Sequence, residues 1–487
     1  MKKESRKNRS VHFIGIGGIG ISSLARWFLS DRWIVSGSDL AANKITKELA
    51  REGVRICGGH KKTNVPRNAE LVVYSQAVPA KNPELIEARR LKIPTLSYPQ
   101  TLGKLTKTHT TIAIAGAHGK STTTALTGLI LKNAGLNPTI VVGTELKELG
   151  GKNFRKGGGN YLVIEADEWK ASFLNYSPTL LIITNIDREH LDFYKNLGNV
   201  KNTFLKFIAR TKSGGTLVLN KDNAVLAALA KRIAKISREK NIRVVWYSTK
   251  DPVAQAIRKI IKIPGEHNIS NAVAAYAAAR VLNVPQKKIL SVIGVYHGSW
   301  RRFEYRGDFR VKSQESRVKQ SVPIYDDYAH HPTEIAATLK GFREKFTTKN
   351  IICVFQPHQA KRLHSLFKEF ICAFEAADTI VITPIYKVAG RDERISLRFS
   401  PEALARVMQK KYPRKPIFYL SDFKNLKNAL TTLVTVPPTC AIGVSPKPKS
   451  RSNSRSEFGT GIKPAVVVMM GAGDIVQYTD ALLTTNH

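Results

Sequence analysis

The chain has 487 residues, 43% hydrophobic and 23% charged, which is typical of a globular protein too long for a single core, and three domains are expected. No apolar run reaches the roughly 18 to 20 residues of a membrane span. The net charge of +40 would attract polyanions, but the basic residues are spread along the chain without a nucleic-acid motif, so no dedicated nucleic-acid partner is expected. The four cysteines (Cys57, Cys353, Cys372 and Cys440) lack C-x-x-C spacing, which disfavours a zinc site and favours the reducing cytoplasm.

The first block, residues 1–108, alternates strand and helix patterns. Strands are predicted at VHFIGIG, WIVSGSD and LVVYSQ, with a helix at ISSLARWFLS. This alternation predicts a parallel sheet with helices on its faces. The basic start and the apolar residues after it imitate a signal peptide, but His12 and the glycines would make a poor signal helix, so we expect mature protein.

A glycine-rich loop, GIGGIG, directly follows the first predicted strand. Glycines there let the backbone approach a pyrophosphate at a helix N-terminus. Asp39 follows Gly20 by 19 positions, about where dinucleotide folds place a ribose-binding acid. The pattern predicts a pyrophosphate-containing ligand without identifying it, and a nicotinamide-dependent oxidoreductase is one interpretation.

A second loop occurs in the stretch IAIAGAHGKSTTT. It is two residues shorter than the phosphate-loop pattern G-x-x-x-x-G-K-[ST], because Ile114 stands where that pattern has its first glycine. Lys120 can nevertheless reach terminal phosphates, and the Ser121 hydroxyl can bind Mg²⁺. A purely structural turn would need neither, so the stretch predicts triphosphate binding.

Two acidic segments end strands of this central block, residues 109–300. EADE (165–168) ends the strand YLVIEAD, and DREHLD (187–192) follows the strand LLIITNI. Open α/β sheets place ligands at such strand ends. Glu165 and His190 are therefore candidate partners of Ser121 in a metal site, with a capping or surface role as the alternative for His190.

The third block, residues 301–487, has predicted strands at IICVFQP, TIVITPI and VVVMMGAG. Two of its segments, KSQESRVKQS (312–321) and SPKPKSRSNSRSEFGTG (445–461), are polar and lack residues to bury. They are predicted to be solvated loops.

Two nucleotide loops on separate sheets favour a reaction that joins two substrates over hydride transfer. The shortened loop AGAHGKSTTT resembles that of the Mur ligases. Further segments resemble this family in family order from residue 11 to about 475: GIGGIGISSLA, SGSDL, YSQAV, EADE with ASFL, TNIDREHLDFY, GEHNISNA, RRFEYRG, DDYAHHPTE, FQPH, TPIY and GAGDI.

The resemblance implies an α/β protein of three domains: an N-terminal Rossmann-like parallel sheet, a central phosphate-loop ATP-binding domain and a C-terminal Rossmann-like domain. It implies an ATP- and Mg²⁺-dependent ligase that converts a carboxylate to an acyl phosphate, which an amine then attacks. The segments are most similar to the branch of the family that joins L-alanine to UDP-N-acetylmuramate in peptidoglycan precursor synthesis.

The resemblance also assigns roles to individual residues. The catalytic residues are Lys120, Glu165, His190, His330 and Arg362. Those for ATP are Gly116, Ala117, His118, Gly119, Lys120, Ser121, Thr122, His267, Asn271, Arg302 and Asp327. Those for the UDP-sugar are Gly17, Gly18, Ile19, Gly20, Asp39 and Ser75. Tyr328, His330, His358 and Arg362 would line the amino-acid pocket, and Ser121, Glu165 and His190 would bind metal.

Some positions depart from the family pattern. Trp169-Lys170 stand where the family usually has Ser-Asp, and Gln359 and Lys361 replace residues that are commonly Arg and Ser. The His330-His331 pair has a structural alternative, the N-terminal turn of a helix. A murein-peptide-recycling ligase, the oxidoreductase and a non-enzymatic polyanion-binding protein are the alternative functions.

Overall fold

The computed structural model describes residues 9–312, 319–386, 396–435 and 464–484, which contain three sheets in chain order. They form two units. The first runs up to Lys262 and includes Asn268–Ser299; the second comprises Ile263–His267 and the described residues from Trp300 onwards. Within these described ranges, no helix is long and apolar enough to cross a membrane.

The first sheet consists of parallel strands only. Its strands are β1 (Ser10–Ile14), β2 (Ile34–Asp39), β3 (Arg55–Gly58), β4 (Leu71–Tyr74) and β5 (Thr95–Ser97). Its helices are α1 (Ile19–Ser30), α2 (Lys44–Arg51), α3 (Pro83–Arg90) and α4 (Tyr98–Thr108). The strand order β3-β2-β1-β4-β5 reverses direction at β1, and open α/β sheets bind ligands at such a switch point.

The second sheet has seven strands. They are β6 (Thr110–Ala115), β7 (Thr139–Leu146), β8 (Lys152–Arg155), β9 (Tyr161–Glu165), β10 (Leu180–Ile183), β11 (Thr216–Asn220) and β12 (Arg243–Tyr247). Its helices are α5 (Lys120–Asn133), α6 (Leu191–Tyr194), α7 (Leu197–Ile208), α8 (Ala224–Ala228), α9 (Ala230–Glu239), α10 (Pro252–Ile260), α11 (Glu266–Val281) and α12 (Gln286–Val295). The order is β12-β11-β10-β6-β9-β7-β8, parallel except for the antiparallel β7–β8 hairpin.

One hydrophobic core runs through both sheets of the first unit and includes Trp27 of α1 and Leu181 of β10. A buried arginine adds polar links between the sheets. Arg26 of α1 donates from Nη1 to Asn153 Oδ1 of β8 at 2.7 Å and from Nε to Glu52 Oε2 at 3.0 Å. The first helix is therefore fixed to the β7–β8 hairpin.

The third sheet belongs to the second unit. Its strands are β13 (Glu304–Lys312), β14 (Lys319–Asp327), β15 (Asn350–Phe355), β16 (Thr379–Ile382), β17 (Ile417–Tyr419) and β18 (Ala465–Met470). Its helices are α13 (Pro332–Lys345), α14 (Ala360–Ser365), α15 (Phe367–Cys372), α16 (Pro401–Lys411), α17 (Leu426–Thr435) and α18 (Ile475–Thr484). Short 3₁₀ segments among the described residues are Lys62–Asn64, Lys147–Leu149, Trp169–Asn175 (interrupted at Lys170 and Ala171), Leu397–Phe399 and Phe423–Asn425.

The third sheet is covered on both faces. The order is β13-β14-β18-β15-β16-β17, parallel except for the β13–β14 hairpin. Along β18, Val466 and Val468 face one core while Val467 and Met469 face the other, as the alternation of strand side chains requires. This double burial explains the uninterrupted apolar run VVVMM.

The predicted α/β fold with three sheets is confirmed. The predicted loop at 312–321 was wrong at its ends, because β13 and β14 extend to Lys312 and Lys319 and pair there. A polar edge hairpin can form without burying its side chains, so composition alone does not exclude it. The segment 445–461 lies outside the described residues, and the domain boundaries at 108 and 300 stay predictions.

Candidate functional site

The N-terminal glycine loop lies at the switch point of the first sheet. Gly15 follows β1 and Ser75 follows β4, and a Cβ built at Gly15 would lie 3.1 Å from Ser75 Cβ. Asp39 Oδ2 accepts a hydrogen bond from Gly17 N at 2.8 Å. Helix α1 starts at Ile19 without a side-chain cap and without an acidic residue in its first turn, which leaves N–H groups for an anion. The residues predicted to bind the UDP-sugar thus lie together.

The phosphate loop is shaped by two glycines with positive φ. Gly119, at φ 81°, precedes α5, and a Cβ there would collide with Oδ1 of Asn271 on α11. Gly116 has φ 143°, and a Cβ there would collide in the same way with Thr184 Oγ1. Only glycine fits both positions. The helix has no side-chain N-cap, so its first N–H groups can receive a phosphate.

Residues after β10 brace the same loop. Asn185 accepts from His118 N at 2.9 Å and donates to His118 O at 2.9 Å, and Thr184 Oγ1 donates to His118 O at 2.6 Å. The His118 ring contacts Asp187 Oδ2 through Nε2 at 3.1 Å. The sequence did not single out Thr184 or Asn185, although both lie in the family-like stretch TNIDREHLDFY.

Lys120 is held inside a group of carboxylates. Its Nζ donates to Gly116 O at 2.7 Å and to Glu168 Oε2 at 2.8 Å, and lies 4.0 Å from Asp167 Oδ1. Burial opposes the lysine charge, but Glu168 and Asp167 outweigh it and raise the pKa of Lys120 above its usual value. Burial also raises the pKa of Glu168, and the charge of Lys120 partly offsets that shift.

The three predicted metal ligands fall into two neighbouring groups. Ser121 Oγ donates to Glu165 Oε1 at 2.6 Å, and Gly143 N donates to Glu165 Oε2. His190 instead lies beside Glu168, with 3.8 Å between Nε2 and Oε1. Ligand atoms of Asp167, Glu168 and His190 all lie within 4.8 Å of one another. The sequence analysis named Glu165 as a candidate metal ligand and did not name Glu168, three residues further on.

The chemistry of these side chains fits a divalent cation. Three carboxylates, Glu165, Asp167 and Glu168, act electrostatically on the single ammonium of Lys120, which leaves an excess of negative charge. Glu168 Oε1 is buried and has no hydrogen-bond partner among the described residues. Hard carboxylate oxygens with one imidazole are ligands that Mg²⁺ or Mn²⁺ accepts.

The departure at Trp169-Lys170 lies directly after these carboxylates. Lys170 and Ala171 have φ of 50° and 56°, and the Lys170 ammonium lies 4.6 Å from the centroid of the Trp169 ring. This cation–π contact gives the positive charge a partner on the aromatic face.

In the second unit, Asp327 organises the segments that carry the other predicted ATP contacts. Its buried carboxylate accepts from Phe303 N at 2.9 Å and Ala329 N at 2.9 Å. Burial raises the pKa of Asp327, and the nearby Arg302 opposes the shift. The Arg302 guanidinium lies 4.9 Å from the Tyr328 ring centroid. Asp327 therefore also has a structural role, and its contact with ATP stays a prediction.

The predicted amino-acid pocket residues are neighbours in this unit. The ring centroids of Tyr328 and His330 are 5.2 Å apart, and those of His330 and His358 are 6.0 Å apart. Arg362 Nη1 lies 3.5 Å from His358 O. Glu334, which the sequence did not single out, contacts His330 Nδ1 through Oε2 at 3.2 Å. The group combines a guanidinium with two imidazoles.

Other residues that the sequence analysis singled out lie at the starts of helices. His331 caps α13 by accepting from Thr333 N at 3.3 Å, so the helix-start interpretation holds for this histidine. Gln359, at φ 67°, precedes α14, and Lys361 is exposed in its first turn. His267 lies in the first turn of α11.

The fold has three sheets with helices, two glycine loops at uncapped helix N-termini, and a cluster of Lys120 with carboxylates. These features are typical of an α/β enzyme that uses nucleotides. Three family models match in chain order: the Mur ligase family catalytic domain at residues 10–110, the Mur ligase middle domain at 114–279, and the Mur ligase, glutamate ligase domain at 301–438. The chain belongs to the Mur ligase family.

Individual relatives indicate which members of the family this chain is similar to. The chain is 38% identical over 407 residues to the UDP-N-acetylmuramate–L-alanine ligase of Clostridium novyi (strain NT), covering 79% of this chain and 84% of the relative. A solved UDP-N-acetylmuramate-alanine ligase from Thermotoga maritima matches with a TM-score of 0.71 and 25% identity over 98% of both chains. A murein peptide ligase from Psychrobacter arcticus 273-4 shares the fold, with a TM-score of 0.63 and 19% identity over 98% of both chains.

Proposed function

We propose that this chain is an ATP-dependent ligase that joins L-alanine to the carboxylate of UDP-N-acetylmuramate in peptidoglycan precursor synthesis. The similarity to ligases of that name over most of the chain carries the proposal. Mur ligases are ATP-dependent. The thiols of Cys57, Cys353 and Cys372 are free, which supports a reducing cytoplasmic location.

The chemistry assigned to the first unit is activation of the muramate carboxylate. A carboxylate oxygen attacks the γ-phosphorus of ATP, ADP leaves, and an acyl phosphate forms. Lys120 and the N–H groups that begin α5 would bind the phosphates, and the pyrophosphate of UDP would lie at the start of α1. One Mg²⁺, held by Ser121 and Glu165, and a second, held by Glu165 and His190, would neutralise charge on the transferring phosphoryl group.

The second unit would supply the amino acid. The α-amine of L-alanine attacks the acyl carbon, phosphate leaves, and the amine loses a proton as the amide forms. The fork of Arg362 matches an α-carboxylate through two parallel hydrogen bonds, which a lysine cannot offer. Tyr328, His330 and His358 would surround the small side chain, and Arg302 with Asp327 would contact ATP.

The alternatives have weaker support. The likeness to a murein peptide ligase, at 19% identity, shows the fold alone. A nicotinamide-dependent oxidoreductase leaves the Lys120–Glu168 cluster without a role. Hydride transfer needs no second phosphate loop.

The test is phosphate release with ATP, Mg²⁺, UDP-N-acetylmuramate and one amino acid at a time. Alanine should be fastest, glycine and serine slower, and glutamate inactive, since one methylene in an apolar pocket changes the barrier by only about 1 to 3 kcal/mol. Arg362→Lys should raise the KM for alanine and leave the KM for ATP unchanged. Release that requires glutamate or a preformed peptide would assign the chain to another branch of the family.

A further inference from the structure

A glutamate and a histidine are completely buried together in the first sheet. Glu84 lies in the first turn of α3 and His12 in the middle of β1, and both side chains are 0% exposed. His12 Nε2 lies 3.2 Å from Glu84 Oε2, and His12 Nδ1 lies 2.9 Å from Ser36 Oγ on β2. Ionisable side chains are rarely buried to this extent unless each has a partner. The mechanism described above uses neither residue.

The carboxylate of Glu84 is the common acceptor of this cluster. Oε2 accepts from Ser38 Oγ at 2.6 Å, while Oε1 accepts from Asn64 Nδ2 at 2.7 Å and from Lys61 N at 3.1 Å. Burial opposes the negative charge, but the hydrogen bonds that the carboxylate accepts, foremost that from His12, lower the pKa of Glu84. An ionised carboxylate can only accept hydrogen bonds, so His12 Nε2 carries a proton and donates it.

The directions of the remaining hydrogen bonds follow from this charge. Ser38 has a single hydroxyl proton and donates it to Glu84, so its oxygen accepts from His60 Nδ1 at 3.0 Å. His60 Nδ1 also lies 3.6 Å from Glu84 Oε1. A glutamine at position 84 would direct its NH₂ group at donors that already point there. The charge of Glu84 thus orients both Ser38 and His60.

The main chain of Ser38 connects this cluster to the N-terminal glycine loop. Its carbonyl accepts from Gly15 N at 2.8 Å and from Ile16 N at 3.0 Å. The next residue, Asp39, makes the contact with the loop that is described above. The end of β2 therefore holds the glycine loop, and Glu84 holds the end of β2.

We propose that Glu84 is a positioning residue for the UDP-sugar site, acting through Ser38 on the glycine loop and through His60 on the turn after β3. The inference rests on the proposed function for the identity of the ligand. Because the carboxylate is fully buried, it acts on the ligand only through these neighbours. His12 supplies the donor that replaces water at Oε2.

Hydrogen–deuterium exchange of the ligand-free, full-length chain tests the positioning role directly. In Glu84→Gln, the segment that contains Gly15 and Ile16 should exchange at least about tenfold faster, because a buried hydrogen-bond network loses its acceptor. The phosphate loop (116–121) should change less than about threefold. Glu87 on the same helix pairs with Arg90 at 2.7 Å, and Glu87→Gln is the matched control, which should exchange as wild type.

Titration calorimetry tests the consequence for the ligand. Glu84→Gln should bind UDP-N-acetylmuramate at least about tenfold more weakly and ATP less than about threefold more weakly. Ser38→Ala should reproduce both results without removing the buried charge, and it replaces Glu84→Gln if that variant does not fold. The double variant should bind within about threefold of the weaker single variant, because residues of one hydrogen-bond network are not additive.

Unchanged exchange at Gly15 and Ile16 in a folded Glu84→Gln protein would overturn the proposal. Equal acceleration at both glycine loops would also overturn it, since that result indicates a loss of overall stability. Losses of affinity that multiply in the double variant would show that Glu84 does not act through Ser38. A wild-type protein that bound no UDP-N-acetylmuramate, while Glu84→Gln still accelerated exchange at the first loop alone, would refute the proposed function and not the positioning role.

Discussion

The contact between Gly119 and Asn271 allows a sharp test of the phosphate loop. In Gly119→Ala, the new Cβ meets the Asn271 carboxamide, and the residue must keep a left-handed conformation, φ 81°. The conformation alone costs about 1 to 2 kcal/mol, and a collision in a packed site adds about 1 to 3 kcal/mol. We expect a total loss of stability of about 2 to 5 kcal/mol.

The same helix provides the control. Gly135, just beyond the other end of α5, has φ 88° and nothing within 4 Å of a built Cβ. Gly135→Ala should therefore lose only the conformational part, about 1 to 2 kcal/mol. The difference between the two variants isolates the collision with Asn271.

Urea unfolding and ATP binding by titration calorimetry measure the two effects. Gly119→Ala should bind ATP at least about tenfold more weakly, because small displacements of a binding loop are costly, while Gly135→Ala should bind as wild type. Adding Asn271→Ala to Gly119→Ala should recover about 1 to 3 kcal/mol of stability as a coupling energy. Equal stability losses in the two glycine variants, with ATP affinity intact in both, would refute the packing argument.

Three further outcomes are expected. Lys120→Ala should abolish phosphate release while its circular dichroism spectrum stays native. Lys132 is exposed on the same helix, and Lys132→Ala should keep its activity. Phosphate release by Lys120→Ala would show that this loop does not take part in the reaction. Asp39→Ala removes the acceptor of Gly17 N, and it should weaken the binding of UDP-N-acetylmuramate at least about tenfold but that of ATP less than about threefold. Equal losses of the two affinities in titration calorimetry would contradict separate nucleotide sites. Burial raises the pKa of Asp326 to about 6 despite Thr479 and Arg306, so its ionisation costs stability as pH rises from about 4 to 6. Asp326→Asn should match wild type near pH 4 and exceed it by up to about 3 kcal/mol above pH 6 in urea unfolding, and a constant difference would contradict this.

The longer strands and helices could be predicted from the sequence, because their apolar residues extend over enough positions to define a pattern. Strands such as β6 and β18 consist of six apolar or small residues each, followed by a glycine. The short edge strands β5 and β17, with three residues each, were missed because three residues define no period. Their position follows from pairing with longer neighbours.

The candidate site was predictable in its residue types but not in its pairings. Both Glu165 and Glu168 belong to EADE, and only the turn after β9 decides which carboxylate meets Ser121 and which lies beside His190. The expectation of separate domains likewise missed the bond between Arg26 and Asn153, residues 127 positions apart, since no local pattern reports such a contact.

The β7–β8 hairpin contacts both glycine-rich loops of the first unit. Asn153 on β8 donates to the carbonyl of Ile19 in the N-terminal glycine loop, and Gly143 N on β7 donates to Glu165 beside the second glycine loop. One pair of strands, packed in the core that both sheets share, thus contacts both loops. For inhibitor design, a molecule that occupies both loops can use a stiff linker of one length, and such a linker would lose little conformational entropy on binding.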